Sequence, residues 1–364
     1  MSADRADRIA ERLASRELDA LLVTDLVNVR WLTGFTGSNG LALVGAGGYP
    51  FRLFITDFRY LTQSEEQLGD AWERQIASDI LAHAADCLRE AQRGRPLHVG
   101  YDDVHLSVKA HAALVERVGE DVELIPAGGL IEELRAVKDD EELERIRAAA
   151  KLADEALSEV LERGIVGRTE RDVALELEIA MRRRGASGPS FPPIVASGAH
   201  AALPHAEPRD VTIPSGTLVT IDWGAQLDGY ASDCTRTVAT GEVGDEERAV
   251  YALVREAQQK ALDAVRAGVA GRDVDAVARE IIKLAGHGEH FGHGLGHGVG
   301  AVVHEAPRLS QQSEDVLQAG NVVTVEPGVY VPGLVGVRIE DLVIVREDGP
   351  EVLTSLPKEL VTVG

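Results

Sequence analysis

Hydrophobic and polar residues follow one another along the first third of the chain in a pattern that predicts short buried strands between amphipathic helices. Ile9, Leu13 and Leu18 fall near helical spacing, and the apolar run Ala20–Val23 after them is typical of a buried strand. The pattern predicts strands at 20–23, 41–44, 53–56 and 122–125 and helices at 80–93 and 107–118. These elements predict an α/β domain that ends at Gly128-Gly129.

A highly charged segment with helical periodicity follows this domain. Acidic residues occupy 139–142, where the helix dipole favours them, and apolar residues then recur every three or four positions as far as Leu161. We therefore place the boundary just before this helix, which gives domains of residues 1–133 and 134–364. The remaining pattern predicts helices at 170–184, 246–267 and 273–284 and strands at 194–196, 217–222, 235–240, 322–326 and 337–345. Helices interleaved with antiparallel hairpins indicate an α+β fold.

The composition argues against nucleic acids and membranes as partners. The 364 residues include 37 Lys and Arg against 60 Asp and Glu, a formal net charge of −23. This charge repels phosphate backbones, so we expect no nucleic acid partner. No segment approaches the ~20 apolar residues of a membrane span, and the charged N-terminus has no signal-peptide core, so we expect no membrane association. Two cysteines form no disulfide framework, which favours a cytoplasmic location.

Histidines concentrate in one glycine-rich stretch. Five of the 11 fall within 18 residues, around the segment HFGHGLGHGVGAVVHE: His287, His290, His293, His297 and His304. Histidine is the commonest metal ligand and the commonest general acid or base near neutral pH. The cluster therefore predicts a functional site rather than a polar surface loop.

Two pairs of acidic residues flank predicted turns in apolar hairpins. Asp222 ends one strand and Asp233 lies in the returning strand, while Glu326 and Glu340 repeat this arrangement further along the chain. The midpoint of each pair falls inside a glycine-containing turn, so we expect the members of each pair to lie opposite, or nearly opposite, each other. Facing residues in a hairpin have Cβ atoms about 5 Å apart, where like charges are destabilising.

Facing carboxylates in apolar surroundings need a compensating cation. One pair alone is equally consistent with a chance pairing at the surface or a proton-sharing dyad, but two pairs beside a histidine cluster favour a metal site. Oxygen and imidazole donors without a thiolate suit Mn²⁺, Co²⁺, Fe²⁺ or Zn²⁺. Four carboxylates exceed the charge of one divalent ion, which predicts two metals. A two-metal site can acidify a water molecule and stabilise an oxyanion.

Several motifs resemble those of the pita-bread metallopeptidases that act on Xaa-Pro bonds, the family of aminopeptidase P and prolidase. Two of them, GFTGSNG (34–40) and TDFRY (56–60), are similar to the creatinase/prolidase N-terminal domain. Those similar to the catalytic domain are IVASGAHAALPHA (194–206), IDWGAQLDGYASDCTRT (221–237), HGLGHGVGAVVHEAPR (293–308), VEPGVY (325–330) and VRIEDLV (337–343). The resemblance implies an α/β N-terminal domain followed by a pita-bread catalytic domain.

The resemblance also assigns roles to individual residues. It implies that the ligands of two divalent ions, with Mn²⁺ expected and Co²⁺ or Zn²⁺ as alternatives, are Asp222, Asp233, His297, Glu326 and Glu340. In the family, the residues at Asp233 and Glu340 bridge both metals, and Glu326 matches the residue proposed to take a proton from the bridging water. His205, His293 and His304 match the outer histidines that bind substrate and move protons, and Arg338 matches the arginine that orients the acids.

The implied activity is that of a metallo-exopeptidase, a hydrolase that cleaves the bond between an N-terminal residue and proline. Its expected partners are proline-containing peptides and a second copy of the chain in a homodimer. The compact N-terminal domain and the GFTGSNG motif favour an Xaa-Pro aminopeptidase. Two alternatives stay open: an Xaa-Pro dipeptidase (prolidase), and a non-peptidase relative of the creatinase type.

Overall fold

The computed structural model describes residues 2–49, 51–91 and 94–364, and the chain divides into two compact units, Met1–Leu134 and Arg135–Gly364. The last two residues of the helix predicted at 80–93 lie outside the described residues. Within the described ranges, no helix has the length and apolar character needed to cross a membrane.

The N-terminal unit is built on a six-stranded mixed sheet with the strand order β4-β3-β2-β1-β5-β6. Its elements are α1 (Ser2–Ser15), β1 (Ala20–Val23), α2 (Leu26–Thr33), β2 (Gly40–Gly45), β3 (Arg52–Thr56), a 3₁₀ turn (Phe58–Tyr60), α3 (Leu61–Gln67), β4 (Glu73–Ile76), α4 (Ile80–Ala91), β5 (Leu97–Tyr101), α5 (Val108–Val118), β6 (Val122–Pro126) and α6 (Leu130–Ala136), which runs across the boundary.

Helices cover both faces of this sheet. Alternate residues of β1 point to opposite sides, so Leu21 and Val23 join one apolar cluster while Ala20 and Leu22 join another. Helices α1 and α2 complete the first cluster, and α4 and α5 complete the second. Burial on both faces explains why β1 is apolar throughout and was recognisable as a strand without alternation.

The C-terminal unit repeats one order of elements: a pair of helices followed by antiparallel strands. The first set comprises α7 (Asp140–Glu162), α8 (Glu170–Arg183), β7 (Gly188–Pro189), β8 (Ile194–Ser197), a 3₁₀ turn (Gly198–Ala202), β9 (Leu218–Trp223), β10 (Ala225–Leu227), β11 (Tyr230–Ala231) and β12 (Cys234–Ala239). The second comprises α9 (Asp245–Ala264), α10 (Gly271–Leu284), a 3₁₀ turn (Gly288–His290), β13 (Gly296–Gly298), β14 (Glu305–Leu309), β15 (Val322–Val325), β16 (Gly328–Val331), β17 (Val335–Arg338), β18 (Asp341–Val345) and β19 (Pro350–Val352).

Each helix pair packs on the strands of its own set. Apolar residues of α7 and α8 form a core with β9 and β12 that includes the fully buried Trp223. Its indole Nε1 donates to the carbonyl of Ala153 on α7 at 2.9 Å. Helices α9 and α10 pack in the same way on β15 to β18. With these faces covered, the polar side chains of the hairpins lie on the opposite faces of the strands.

Candidate metal centre

A two-residue turn sets the position of the first acid pair. Asp228 and Gly229 both have positive φ, at 48° and 86°, as a tight hairpin turn requires. The ladder that this turn fixes pairs Asp222 with Thr235, so Asp233 lies two residues further along the same face. The midpoint of the two acids in the sequence predicted a turn centre one residue earlier, with the acids nearly opposite. The structure places them diagonally, which is still within reach of one ion.

The second acid pair lies directly across its hairpin. Ladder pairs before and after Glu326 and Glu340 keep one register, which places these two residues opposite each other as predicted. Their own N–H groups bond elsewhere: Glu340 donates to the carbonyl of Thr235 at 3.1 Å, and Glu326 donates to that of Leu295 at 2.8 Å. The strand predicted over 337–345 is therefore wrong as a single element, because it breaks around Glu340 where the backbone turns to the first hairpin.

These backbone arrangements bring the five predicted ligands together. Carboxylate oxygens of Asp222, Asp233 and Glu340 lie within 4.8 Å of one another. His297 Nε2 lies 3.6 Å from Asp233 Oδ2 and 3.2 Å from Glu326 Oε1. Asp233 thus belongs both to the carboxylate group and to the histidine-containing group. This geometry suits two neighbouring ions that share a carboxylate.

The electrostatics of the cluster favour the binding of a cation. Asp233 and Glu340 are 5% and 1% exposed. Burial, followed by the charges of the neighbouring acids, raises the pKa of both carboxyls well above their usual range. The buried oxygens Asp222 Oδ1 and Glu340 Oε1 have no hydrogen-bond partner among the described residues. Unpartnered carboxylate oxygens in such a group are the donors that divalent cations take.

Backbone and hydroxyl groups orient the remaining two ligands. His297 Nδ1 lies 3.1 Å from the carbonyl oxygen of Gly298, so its Nε2 faces the acids. Thr324 Oγ1 donates to Glu326 at 2.9 Å. Burial opposes ionisation of Glu326, but the hydrogen bond and charge of His297 outweigh it and lower its pKa to about 2. Glu326 therefore stays a carboxylate while the other acids favour protons.

Arg338 connects the acids to the wall of the site. Its guanidinium is buried and donates to Asp222 Oδ2 at 2.7 Å, Thr235 Oγ1 at 3.0 Å, the Tyr330 hydroxyl at 2.8 Å and the Pro204 carbonyl at 3.2 Å. Nearby anions raise its pKa further although burial opposes this. Arg338 is thus a fixed positive charge that holds one oxygen of Asp222 and leaves the other oxygen free.

His293 is fully hydrogen-bonded. Its Nδ1 donates to the carbonyl of Gly294 at 2.7 Å, and its Nε2 lies 2.9 Å from the hydroxyl of Tyr330. Because that hydroxyl already accepts from Arg338, its own proton is directed to His293 Nε2. Burial lowers the pKa of His293, which favours this neutral form. The hydrogen bond between His293 Nε2 and Tyr330 must therefore break before this nitrogen can bond a substrate.

A cleft of about 740 Å³ opens over the cluster. His205 and His304 are exposed and line it, and the ring of His304 lies 4.3 Å from that of His297. Arg308 lines the same cleft, and its guanidinium makes no ion pair with any described residue. The apolar part of the lining comprises Phe191, Pro192, Pro193, Ile194, Pro204, Ala206 and Pro208. Glu340 lies behind the cleft, while the other predicted site residues line it.

Comparison with known proteins identifies the family. Residues 144–347 match the model of metallopeptidase family M24, and residues 5–137 match that of the creatinase/prolidase N-terminal domain. The chain belongs to metallopeptidase family M24. This confirms the resemblance found in the motifs and the α+β fold that it implied, and it makes the chain a metal-dependent hydrolase.

Relatives in the M24 family match over the whole chain. An Xaa-Pro dipeptidase of Pyrococcus furiosus is 45% identical over 98% of this chain and 99% of its own. The structure of an Xaa-Pro dipeptidase from Bacillus anthracis is 39% identical and covers both chains completely, with a TM-score of 0.94. The structure of an X-Pro aminopeptidase from Thermotoga maritima is 35% identical over 99% of this chain and 100% of its own, with a TM-score of 0.89.

Sequence reasoning missed three residues that support the predicted ligands. Thr235 donates to Glu340 Oε2 at 2.7 Å, Thr324 bonds Glu326, and Tyr330 links Arg338 to His293. Each threonine lies on a strand, two positions from a predicted ligand just outside that strand, so side-chain alternation places both on the ligand's face. This alternation could have been used to predict both threonines from the sequence. The role of Tyr330 depends on the side chains around it and had no such signal.

Proposed function

We propose that the chain is an Xaa-Pro dipeptidase, which hydrolyses the bond between an N-terminal residue and a C-terminal proline. The observation that carries this proposal is the unpaired guanidinium of Arg308, four residues after His304 on the wall of the same cleft. A dipeptide presents its free carboxylate close to the scissile bond, and an arginine binds a carboxylate with two parallel hydrogen bonds. Several similar proteins are Xaa-Pro dipeptidases, which agrees with this assignment.

The second candidate is the Xaa-Pro aminopeptidase favoured by the sequence. The cleft is open, and an X-Pro aminopeptidase is among the similar structures. In that case Arg308 would bond a backbone carbonyl of a longer peptide instead of a terminal carboxylate. The two activities share the same metal centre and differ in what lies beyond the proline.

For either activity we propose that two divalent ions are held by Asp222, Asp233, His297, Glu326 and Glu340. Mn²⁺ is the metal that we expect, and Co²⁺ and Zn²⁺ are the alternatives. Such ions acidify a water molecule and stabilise the oxyanion formed at the scissile carbonyl. The buried oxygens without partners and the carboxyls whose pKa is raised support this ligand set. Homodimer assembly and a cytoplasmic location stay predictions of the sequence.

The surrounding residues have distinct parts in the proposed reaction. Glu326, the carboxylate with the lowered pKa, accepts a proton from the attacking water. Burial, followed by the positive charges of His297 and Arg308, lowers the pKa of His304, so its neutral ring can donate one N–H to the oxyanion. His205 and, once released by Tyr330, His293 can supply the proton that the leaving imino nitrogen needs. Arg338 holds Asp222 in place and opposes the effect of burial, which raises the pKa of Asp222.

A substrate comparison tests the proposal. An Xaa-Pro dipeptide and an Xaa-Pro-Pro tripeptide are incubated with chelator-treated protein, before and after Mn²⁺ or Co²⁺ is restored. We expect metal-dependent cleavage of the dipeptide. Arg308→Ala should raise KM for the dipeptide about 10- to 100-fold, the value of a hydrogen bond to a charged group. Arg183→Ala, at an exposed position on α8, is the control.

The other outcomes separate the alternatives. Cleavage of the tripeptide alone would assign an aminopeptidase. A protein that cleaves neither peptide and has no affinity for Mn²⁺ or Co²⁺ would favour a non-peptidase relative of the creatinase type. An unchanged KM in Arg308→Ala would remove the observation on which the dipeptidase assignment rests.

A further inference from the structure

A buried carboxylate outside the metal centre accepts hydrogen bonds from both ends of a loop that lines the cleft. Glu170 is the first residue of α8, and its side chain is fully buried. The loop, which we call the His205 loop, comprises residues 197–209 and contains His205. We propose that Glu170 is a positioning residue that fixes the His205 loop over the metal centre. The catalytic consequence rests on the proposed function, whereas the structural part does not.

Both ends of the loop converge on this one side chain. Glu170 Oε1 accepts from the Ser197 N–H at 2.9 Å, the Ser197 hydroxyl at 2.7 Å and Arg209 Nη2 at 3.2 Å. Glu170 Oε2 accepts from His200 Nδ1 at 3.0 Å and from the N–H and Nε of Arg209, both at 3.1 Å. Six donors and no acceptor face the carboxylate, so only an ionised group with two accepting oxygens satisfies them.

The middle of the loop forms part of the cleft. Pro204, His205 and Ala206 line it, and the carbonyl of Pro204 accepts from Arg338. The 3₁₀ turn packs so closely on β17 that Gly336 has no room for a Cβ beside the Ala201 carbonyl. The loop is therefore held at its base by Glu170 and at its centre by residues next to the metal centre.

The contacts favour a permanently charged anchor. Burial opposes ionisation of Glu170, but the hydrogen bonds from Arg209 and Ser197 outweigh it and lower its pKa to about 2. The N-terminus of α8 also favours a negative charge at this position. His205 itself makes no hydrogen bond with a described residue, so its placement depends on the backbone that Glu170 holds.

The test is Glu170→Gln, with Glu178→Gln on the same helix as the matched control. Among the described residues, Glu178 pairs only with Arg182, at an exposed position. A glutamine at 170, in contrast, places an NH₂ donor where six donors already face the side chain. Hydrogen exchange of the loop amides is measured on Mn²⁺-loaded protein at 25 °C, together with Mn²⁺ affinity and kcat and KM for an Xaa-Pro dipeptide. If Glu170→Gln does not fold, Arg209→Ala removes two of the six bonds from a side chain that is 46% exposed.

We expect exchange within the His205 loop to rise about 10- to 100-fold, the value of hydrogen bonds to a charged group. We expect kcat/KM to fall about 10- to 100-fold, since displaced catalytic groups lose this much, while Mn²⁺ affinity stays within twofold. A lower melting temperature with unchanged exchange and kinetics would show that Glu170 only stabilises the fold and would overturn the proposal. If wild-type protein cleaves no Xaa-Pro peptide, the proposed function fails, whereas the exchange result still decides the anchoring.

Discussion

Removing the charge of one proposed ligand, Asp233, should stabilise the metal-free protein. Asp233 lies among carboxylates whose oxygens are within 4.8 Å, and it is 5% exposed. Among the described residues of chelator-treated protein, only protons, Arg338 and the protonated form of His297 offset this crowding. Asp233→Asn keeps the size of the side chain and removes its charge. We therefore expect Asp233→Asn to melt at a higher temperature than wild type without metal, although it loses the metal site.

The expected stabilisation can be estimated from the distance between the carboxylate oxygens. Two unit charges 4.8 Å apart repel by about 3 kcal/mol at an effective dielectric constant of about 20. Proton uptake relieves part of this, so we expect a gain of about 1–3 kcal/mol, or about 2–10 °C in Tm for a unit of this size. Mn²⁺ should raise the Tm of wild type and leave that of the variant unchanged.

The stability that metal-free Asp233→Asn gains over wild type should increase as pH rises. Burial, followed by the charges of Glu340 and Asp222, raises the pKa of Asp233 well above its usual value. The folded protein then binds more protons than the unfolded chain, so wild-type stability falls as pH rises from about 4, the unfolded pKa, through the folded pKa. The advantage of Asp233→Asn should vanish near pH 4 and be largest at neutral pH.

Scanning calorimetry with EDTA at pH 4 and pH 7.5 measures this directly. Asp348→Asn, at an exposed turn position, is the control for the substitution itself and should not change Tm at either pH. If metal-free Asp233→Asn melts below metal-free wild type at pH 7.5, the carboxylates do not repel one another as the structure implies. The cluster would then have no electrostatic need for a cation.

Two further substitutions test the surroundings of the site. Thr235→Val removes the hydroxyl between Arg338 and Glu340, so we expect Mn²⁺ affinity to fall about 10- to 100-fold; unchanged affinity in a competitive chelator titration would contradict this. Glu305→Gln leaves the buried ammonium of Lys138 without its carboxylate at 2.7 Å, which should cost about 3–5 kcal/mol in urea unfolding. A loss below 1 kcal/mol would show that Lys138 reaches another partner.

The sequence predicted elements well wherever one local rule decided them. The run at 20–23 became β1 with the predicted bounds, and the acidic start and apolar spacing of α7 placed that helix within two residues. The end of α9 was predicted at residue 267 but falls at Ala264, because the chain at Val265 is extended. No residue type marks that change, since alanine and valine are compatible with either conformation.

The candidate site was predictable because its ligands lie on strands whose pairing can be read from the turns. Glu326 and Glu340 needed only the position of the turn to be placed opposite each other. Asp222 and Asp233 needed the type of turn as well, which depends on two residues with positive φ. No local sequence pattern predicts the anchoring role of Glu170, because its hydrogen-bond partners lie 27 to 39 residues further along the chain.

Backbone hydrogen bonds, together with the side chains of Arg338 and Thr235, hold the acids together. The N–H of Glu340 bonds the first hairpin at Thr235, so neither hairpin can move its acids apart without breaking that link. Four carboxylates and one bonded guanidinium leave a charge near minus three when all are ionised. One divalent ion leaves an excess of negative charge, whereas two leave a single positive charge. A site with that residual charge attracts one anion, which matches an oxyanion or a hydroxide at the scissile carbonyl and favours two ions over one.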